Sequence, residues 1–386
     1  MRVNPLLGQL RTYPQVALDQ KKREVLAAGR PLYDFGTGDP LEPTPAFIRE
    51  AIRGAVPEVS QYPSIAGPRA LRVAIAGYLE RRFGVRLDPD TQILPSSGSK
   101  EAVFHLPMAF IDPKAEDRTV ILPDPGYPAY QRGALFAGAE VHCQRLDGDF
   151  LQRPRELPEA VLRRTRVLWI NSPHNPSGAV MSLEHLRDIW SLCQRHDILL
   201  VNDECYADIY DREPPPSLLQ VSTRGVLVLH SLSKRSGMTG YRTGFLAGDP
   251  EAVAVYRELR VNPGLAAMDI VNAGATAAWS EDEHAEERRG WLREKKAVFL
   301  ALFEELGLEV LGSRATFYLW IRVPPGHTDE SYAMALLQAG IVISPGSFFG
   351  VEGGGAGYVR VAMVPPLEQC RAAASLWREV HRESCR

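Results

Sequence analysis

Residues 225–245 read GVLVLHSLSKRSGMTGYRTGF. The opening apolar run, closed by serine, is the pattern of a strand buried on both faces, as in a parallel sheet covered by helices. Lys234 follows that strand by a few residues and precedes a run of small ones. The chain has 44 basic residues, of which only seven are Lys and 37 are Arg, so an amine at this position asks for a reason. Lys21, Lys22, Lys114, Lys295 and Lys296 lie in charged or loop-like surroundings that read as solvated.

Working outward, three more apolar runs end in polar or turn residues: RTVILPDPG at 118–126, RVLWINSP at 166–173 and ILLVNDE at 198–204. Between the last two, SLEHLRDIWSLCQRH at 182–196 places Leu186, Ile189, Trp190 and Cys193 on one helical face, with Ser182 as N-cap. This rhythm of strand, helix and strand predicts an α/β fold with a mostly parallel sheet sandwiched by helices. Ligands in such sheets bind beyond the carboxyl ends of the strands. From about residue 281 the texture changes. EDEHAEERRGWLREKKAVFLALFEELG reads as one long helix with a solvated charged face, followed by strands in ATFYLWIRV (315–323) and GYVRVAMV (357–364). The expected division is an arm over 1–39, a large domain over 40–280 and a small α+β domain over 281–386. The proline-rich arm is expected to pack on the small domain or on a partner subunit.

The bulk properties exclude several classes. A chain of 386 residues exceeds one small core. A formal net charge of −3 gives no general pull toward nucleic acid or an anionic membrane. No apolar run has the length of a bilayer span, and the start has no signal-peptide core. Five dispersed cysteines without CxxC spacing fit reduced thiols in a cytoplasm and no metal site.

The strand ends carry the chemistry. An amine attacks a carbonyl only when neutral, and desolvation or nearby positive charge lowers its pKa. Ser231, Ser233 and Ser236 flank Lys234, and Arg242 stands eight residues on, a reasonable phosphate cradle. An aldehyde that also carries a phosphate, bound to lysine as an imine, describes pyridoxal phosphate. On this segment alone, a lysine snorkelling from a loop explains as much.

Other segments add weight. Asp203 in VNDEC directly follows an apolar strand, where an unpaired carboxylate is costly and a protonated pyridine nitrogen suits it. Tyr206 is then in reach of the ring's phenolic oxygen, as is Asn175 in NSPHNPSG. A helix N-cap and simple turn chemistry are the plain alternatives for Asp203 and Asn175. In SSGSKEAVF, Gly98, Ser99 and Lys100 open a helix whose first N–H groups suit phosphate. Tyr127 in DPGYPAY offers a face for a flat heterocycle, or a core tyrosine.

Taken in order, SSGSKEA, PDPGYPAY, NSPHNPSG, VNDECY and SLSKRSGMTGYRTGF resemble the class I/II aminotransferases of pyridoxal-phosphate fold type I, over nearly the whole chain. The resemblance implies a seven-stranded-type sheet with a smaller α+β domain. It implies that Lys234 bonds the cofactor and shuttles the proton, with Asp203 on the pyridine nitrogen, Asn175 and Tyr206 at its phenolic oxygen and Tyr127 on the ring. Ser99, Lys100, Ser231, Ser233 and Arg242 would hold the phosphate, joined by Tyr62 from the neighbouring subunit of a homodimer. Gly38 and Arg360 match positions for the substrate's α-carboxylate, with Tyr127 and Asn175 beside it. Small amino and 2-oxo acids are the implied partners. Segments such as TYPQVALDQKKR and HSLSKRSGMTGYRTGFLAGD are similar to bacterial N-succinyldiaminopimelate aminotransferases, which makes that substrate the first expectation. Aspartate, alanine, aromatic and LL-diaminopimelate transamination, and C–S β-lyase chemistry on the same scaffold, stay open. Ala315 stands where many relatives carry Gly, and Arg69 and Arg235 are candidates for a distal carboxylate or plain structural arginines. A DNA-binding fusion lacks its basic recognition helix ahead of the fold.

Overall fold

Consecutive residues of the apolar runs enter opposite cores. Val167 and Trp169 join one cluster while Leu168 and Ile170 join another, and Leu227 and Leu229 alternate with Val226 and Val228 in the same way. A strand covered on both faces needs apolar residues at every position, which is why these runs are unbroken. The computed structural model describes residues 1–9, 14–27 and 29–384. After β1 (Tyr33–Asp34), seven strands build the central sheet: β2 (Ile93–Ser96), β3 (Thr119–Asp124), β4 (Glu140–Arg145), β5 (Thr165–Asn171), β6 (Leu199–Asp203), β7 (Val226–Ser231) and β8 (Gly244–Gly248). Their spatial order is β2-β8-β7-β6-β5-β3-β4, and only β8 runs antiparallel to its neighbours.

That single reversal matters for the site. Gly244 opens β8 opposite both Ser96 and Ser231, the last residues of β2 and β7. Arg242 and Lys234 therefore arrive at the same edge of the sheet from opposite chain directions. Helix Leu183–Arg195 forms as expected, with Ser182 Oγ accepting from His185 N at 3.1 Å. It buries Leu186, Ile189, Leu192 and Cys193, and leaves Trp190 half-buried at the margin.

A second antiparallel sheet, ordered β12-β13-β10-β9, comprises β9 (Val310–Gly312), β10 (Tyr318–Arg322), β12 (Ser344–Pro345) and β13 (Tyr358–Ala362). Beside it β11 (Ile341–Val342) pairs in parallel with β1, Tyr33 opposite Ile341, which ties the N-terminal arm to the C-terminal part of the chain. Residues 36–44 form a strap between the two sheets. Gly36 O accepts from Arg360 Nη2 at 2.9 Å, and Thr44 Oγ1 donates to Gly237 O at 2.6 Å.

The long helix Glu283–Glu305 forms as expected, but not all of its charges are solvated. His284, Arg288, Arg289, Lys295 and Lys296 on it are buried. Lys295 Nζ donates to Glu42, and Lys296 Nζ bonds Asp211 Oδ1 at 2.9 Å and Ser313 O at 2.7 Å. The charged face at Glu283, Glu286, Glu287, Arg293 and Glu294 is exposed as expected, while the opposite side is packed and its lysines meet acidic groups and carbonyls of other segments. Lys22 is likewise buried, bonding Asp34 and Thr37, whereas Lys114 is exposed as expected. The Lys21 side chain and Cys385 lie outside the described residues. Cys143, Cys193, Cys205 and Cys370 are free thiols. Among the described residues no helix is long and apolar enough to cross a membrane.

A buried ion cluster supports the central sheet from outside the site. Asp208 accepts from Arg82 Nε at 3.0 Å, Arg235 Nε at 2.7 Å and Tyr78 Oη at 2.9 Å. Burial pushes its carboxyl up, but Arg235 and Arg82 outweigh that and hold it below the ordinary value. Asp208→Ala is expected to cost about 3–5 kcal/mol in denaturant unfolding, because it strands buried guanidinium groups. The wild-type contribution is present above the unfolded carboxylate value near pH ~4 and is lost as pH falls through the depressed folded value.

Candidate active site

Beyond the ends of β5, β6 and β7 lies a cavity of about 620 Å³. Of the residues that the resemblance implies for cofactor and substrate, all but Tyr62 line it: Gly38, Ser99, Lys100, Tyr127, Asn175, Asp203, Tyr206, Ser231, Ser233, Lys234, Arg242 and Arg360, whereas Ser236 turns away to His284. Tyr62 is fully exposed on its loop and lies outside the cavity of its own chain.

Lys234 sits in the one-turn helix Leu232–Arg235, whose other members are buried. Its half-buried amine donates to Gly38 O on the strap and lies 5.4 Å from the Phe317 ring centre. Burial lowers its pKa from 10.5 to about 8, and Arg360 and Arg242 add to the effect while Asp39 opposes it. A useful neutral fraction therefore exists near neutral pH.

Asp203 presents the opposite problem. It is buried at the end of β6, and burial pushes its carboxyl up. Tyr130 Oη donates to Oδ2 at 2.8 Å and the Cys205 N–H to Oδ1 at 3.2 Å. These are neutral donors, and among the described residues no basic side chain forms an ion pair with it. A cation entering the cavity would hold it ionised.

A hydrogen-bond chain connects Asp203 to the small sheet. Asn171 Nδ2 donates to Asp203 O at 2.7 Å, and Asn171 Oδ1 accepts from Asn175 N at 2.7 Å. Asn175 Oδ1 in turn accepts from Arg360 Nη1 at 2.9 Å, so Nδ2 is the group left to donate into the cavity. Tyr206 Oη lies 2.8 Å from Tyr318 Oη, and burial raises the Tyr206 pKa well above its usual value, which keeps it a neutral donor.

Arg360 is buried on β13, between the rings of Tyr318 at 4.1 Å and Phe349 at 4.4 Å from its Cζ. Its Nε is buried without a partner, and no carboxylate pairs with it among the described residues. A desolvated guanidinium with an orphaned donor fits a ligand carboxylate. Gly38 is required beside it, since a Cβ there would stand 2.5 Å from Tyr318 Oη.

The cradle forms at the reversed strand. Gly98 (φ +78°) precedes helix Ser99–Phe110, and a Cβ on it would lie 2.5 Å from Arg242 Nη2. The helix start thus lies against the guanidinium, and both offer donors to an anion. Ser231 and Ser233 line the same end, Ser231 Oγ accepting from Ser233 N at 3.1 Å. The orphaned Arg360 donor, the unpaired Asp203 acid and this cradle fit pyridoxal phosphate with its amino-acid partner.

Sequence reasoning passed over several residues. Tyr130, stacked on Trp169 with ring centres 5.2 Å apart, supports Asp203. It ends the DPGYPAY segment, where Tyr127 drew attention instead. Asn171 opens NSPHNPSG, but its bridging role depends on β6 lying alongside. Tyr318, Phe348 and Phe349 come from the small-sheet part of the chain. Arg69 pairs with Asp90 at the surface, and Arg235 is saturated by Asp208, Asp282, His284 and backbone carbonyls. Neither lines the cavity, and both are structural. Ala315 bridges Tyr210 and does not line it either.

Fold and site together define an enzyme that works with pyridoxal phosphate. The chain belongs to the class I and II aminotransferases, whose family model matches residues 26–376. It is 38% identical over 377 residues to the LL-diaminopimelate aminotransferase of Aquifex aeolicus strain VF5, covering 95% of this chain and 96% of that one. An aminotransferase structure from Neisseria meningitidis Z2491 superposes with a TM-score of 0.92 at 32% identity, over 98% of this chain and all of that one (100%). A probable N-succinyldiaminopimelate aminotransferase from Thermus thermophilus gives 0.89 at 30% identity, with 95% and 100% covered.

The environment of Lys234 makes a direct prediction. In cofactor-free protein, acylation of Lys234 followed by peptide mass spectrometry should titrate with a midpoint near pH 8. A midpoint at the ordinary lysine value would show that the amine is not desolvated.

Proposed function

We propose that the protein moves an amino group between glutamate or 2-oxoglutarate and LL-2,6-diaminopimelate or its oxo counterpart, in two half-reactions at one site. The observation that carries this reading is the unpaired Arg360 guanidinium in the same cavity as the Lys234 amine. Arg360 binds the carboxylate that every 2-amino acid carries, and Lys234 then works on the Cα proton.

When bound, pyridoxal phosphate supplies an electron-withdrawing ring that stabilises negative charge at the substrate's Cα. Asp203 would keep a proton on the ring nitrogen, and Asn175 and Tyr206 would donate to the phenolic oxygen. Ser231, Ser233, Arg242 and the helix start at Ser99 and Lys100 would hold the phosphate, and Tyr127 would cover the ring. Lys234, neutral once its proton is lost near pH 8, would accept the Cα proton and, as the ammonium so formed, would pass it to the cofactor's former aldehyde carbon on the other side of the nitrogen.

The LL-diaminopimelate reading is supported by relatives such as the Aquifex enzyme. The N-succinyl substrate favoured by sequence segments is the second reading, supported by the similarity to the Thermus structure. The enzyme is proposed to work in the cytoplasm as a homodimer, with Tyr62 reaching the partner's phosphate. The exposed apolar side chains Val56, Val59, Tyr62 and Met268 support a face covered by a second copy.

Lys234→Ala is expected to retain pyridoxal phosphate and to lose about 10²–10⁴ in turnover from general acid–base chemistry alone. Wild-type turnover in that variant would refute the role of Lys234. Mixed with glutamate, the holoenzyme should convert to the pyridoxamine form, and an acceptor panel then ranks the oxo acids. Release of pyruvate and ammonia from a cysteine conjugate, with no pyridoxamine form, would establish the lyase instead.

A further inference from the structure

A second chamber, of about 290 Å³, adjoins the cavity. The two share one wall, built from Tyr127, Pro128, Tyr130, Phe348 and Phe349. Phe349 is also the ring that stacks on Arg360, so the chamber begins where a substrate carboxylate would be held. The rest of its lining brings together polar groups from two distant segments. Gln131 and Arg132 come from helix Ala129–Phe136, Glu330 from the first turn of helix Asp329–Ala339, and Ser347 from the loop after β12.

Three features of this wall point to a ligand. Glu330 is exposed and forms no ion pair among the described residues. Ser347 has a buried Oγ without a hydrogen-bond partner. The backbone around both is fixed, because Asp329 Oδ2 accepts from Ser347 N at 2.8 Å. A carboxylate, a guanidinium and an orphaned hydroxyl beyond an aromatic wall form a pattern for a zwitterion reached through an apolar spacer.

We infer that this chamber binds the far amino-acid head of a long diamino dicarboxylic substrate. Glu330 pairs with its ammonium, and Arg132 and Ser347 receive its carboxylate. The methylene spacer lies along Phe348 and Phe349. The inference rests on the aminotransferase reading and narrows its substrate to one with a free distal amine. A succinylated amine carries no positive charge and gives Glu330 nothing to pair with. The plain alternative is that Glu330 only serves the helix dipole, as acidic residues in a first turn do.

The test follows the rate of cofactor amination by absorbance in the holoenzyme, with LL-2,6-diaminopimelate, L-2-aminopimelate and alanine as donors. L-2-aminopimelate has the same length and both carboxylates but no distal amine. Wild type is expected to prefer the diamino acid over it by about tenfold or more in kcat/KM. Glu330→Gln should bring that ratio close to one, and Glu330→Asp should keep most of it. Arg132→Gln should lower kcat/KM for both seven-carbon donors about tenfold relative to alanine, which has no distal carboxylate. A wild-type enzyme without the preference, or a ratio unchanged in Glu330→Gln, overturns the inference while the aminotransferase reading stands. A holoenzyme that no amino acid converts overturns the aminotransferase reading itself.

Discussion

A charged group at the end of a buried strand must be paired, hydrogen-bonded or neutralised, because water is not there to solvate it. Lys234 and Asp203 stand in one cavity under that constraint without satisfying one another. The amine responds by giving up its proton more readily, and the acid by holding its proton more tightly. Arg360, which cannot deprotonate, keeps a donor unused. These are costly arrangements for a free protein, and each becomes favourable when a ligand supplies the missing charge. The site is selective because it is incomplete.

What keeps three such groups from relaxing toward one another is the sheet. β5, β6 and β7 end side by side, covered on both faces by apolar cores, and their last residues have little freedom to move. The antiparallel β8 brings Arg242 to that edge from the other direction, and the glycine at 98 lets the helix start lie against it. Asn171 and Asn175 then carry a rigid connection from Asp203 out to Arg360 on the second sheet. Preorganisation of this kind lets the polar groups act without rearranging when charge develops.

The strands and most of the cavity's polar lining were readable in the sequence for a common reason. Each strand is an unbroken apolar run, and each key polar residue stands within a few positions of a run's end, so local pattern and function coincide. The residues that escaped are those whose role is set by partners far along the chain. Tyr130 matters because Asp203 lies above it, and Tyr318 because the strap at Gly38 passes close by. Lys295 and Lys296 look like solvated charges on a helix until Glu42 and Asp211 are brought to them. The second chamber is assembled from segments about two hundred residues apart, and no spacing rule reaches that far.

The strap over residues 36–44 gives the molecule one more property. Two of its carbonyls are occupied by the side chains proposed to carry the chemistry: Gly36 O by Arg360 and Gly38 O by Lys234. It works as a latch with two catches. A molecule that bonds to the Lys234 nitrogen competes with Gly38 O for one catch, while Arg360 still holds the other. Thr44 Oγ1, donating to Gly237 O, keeps the strap joined to the large sheet in either case.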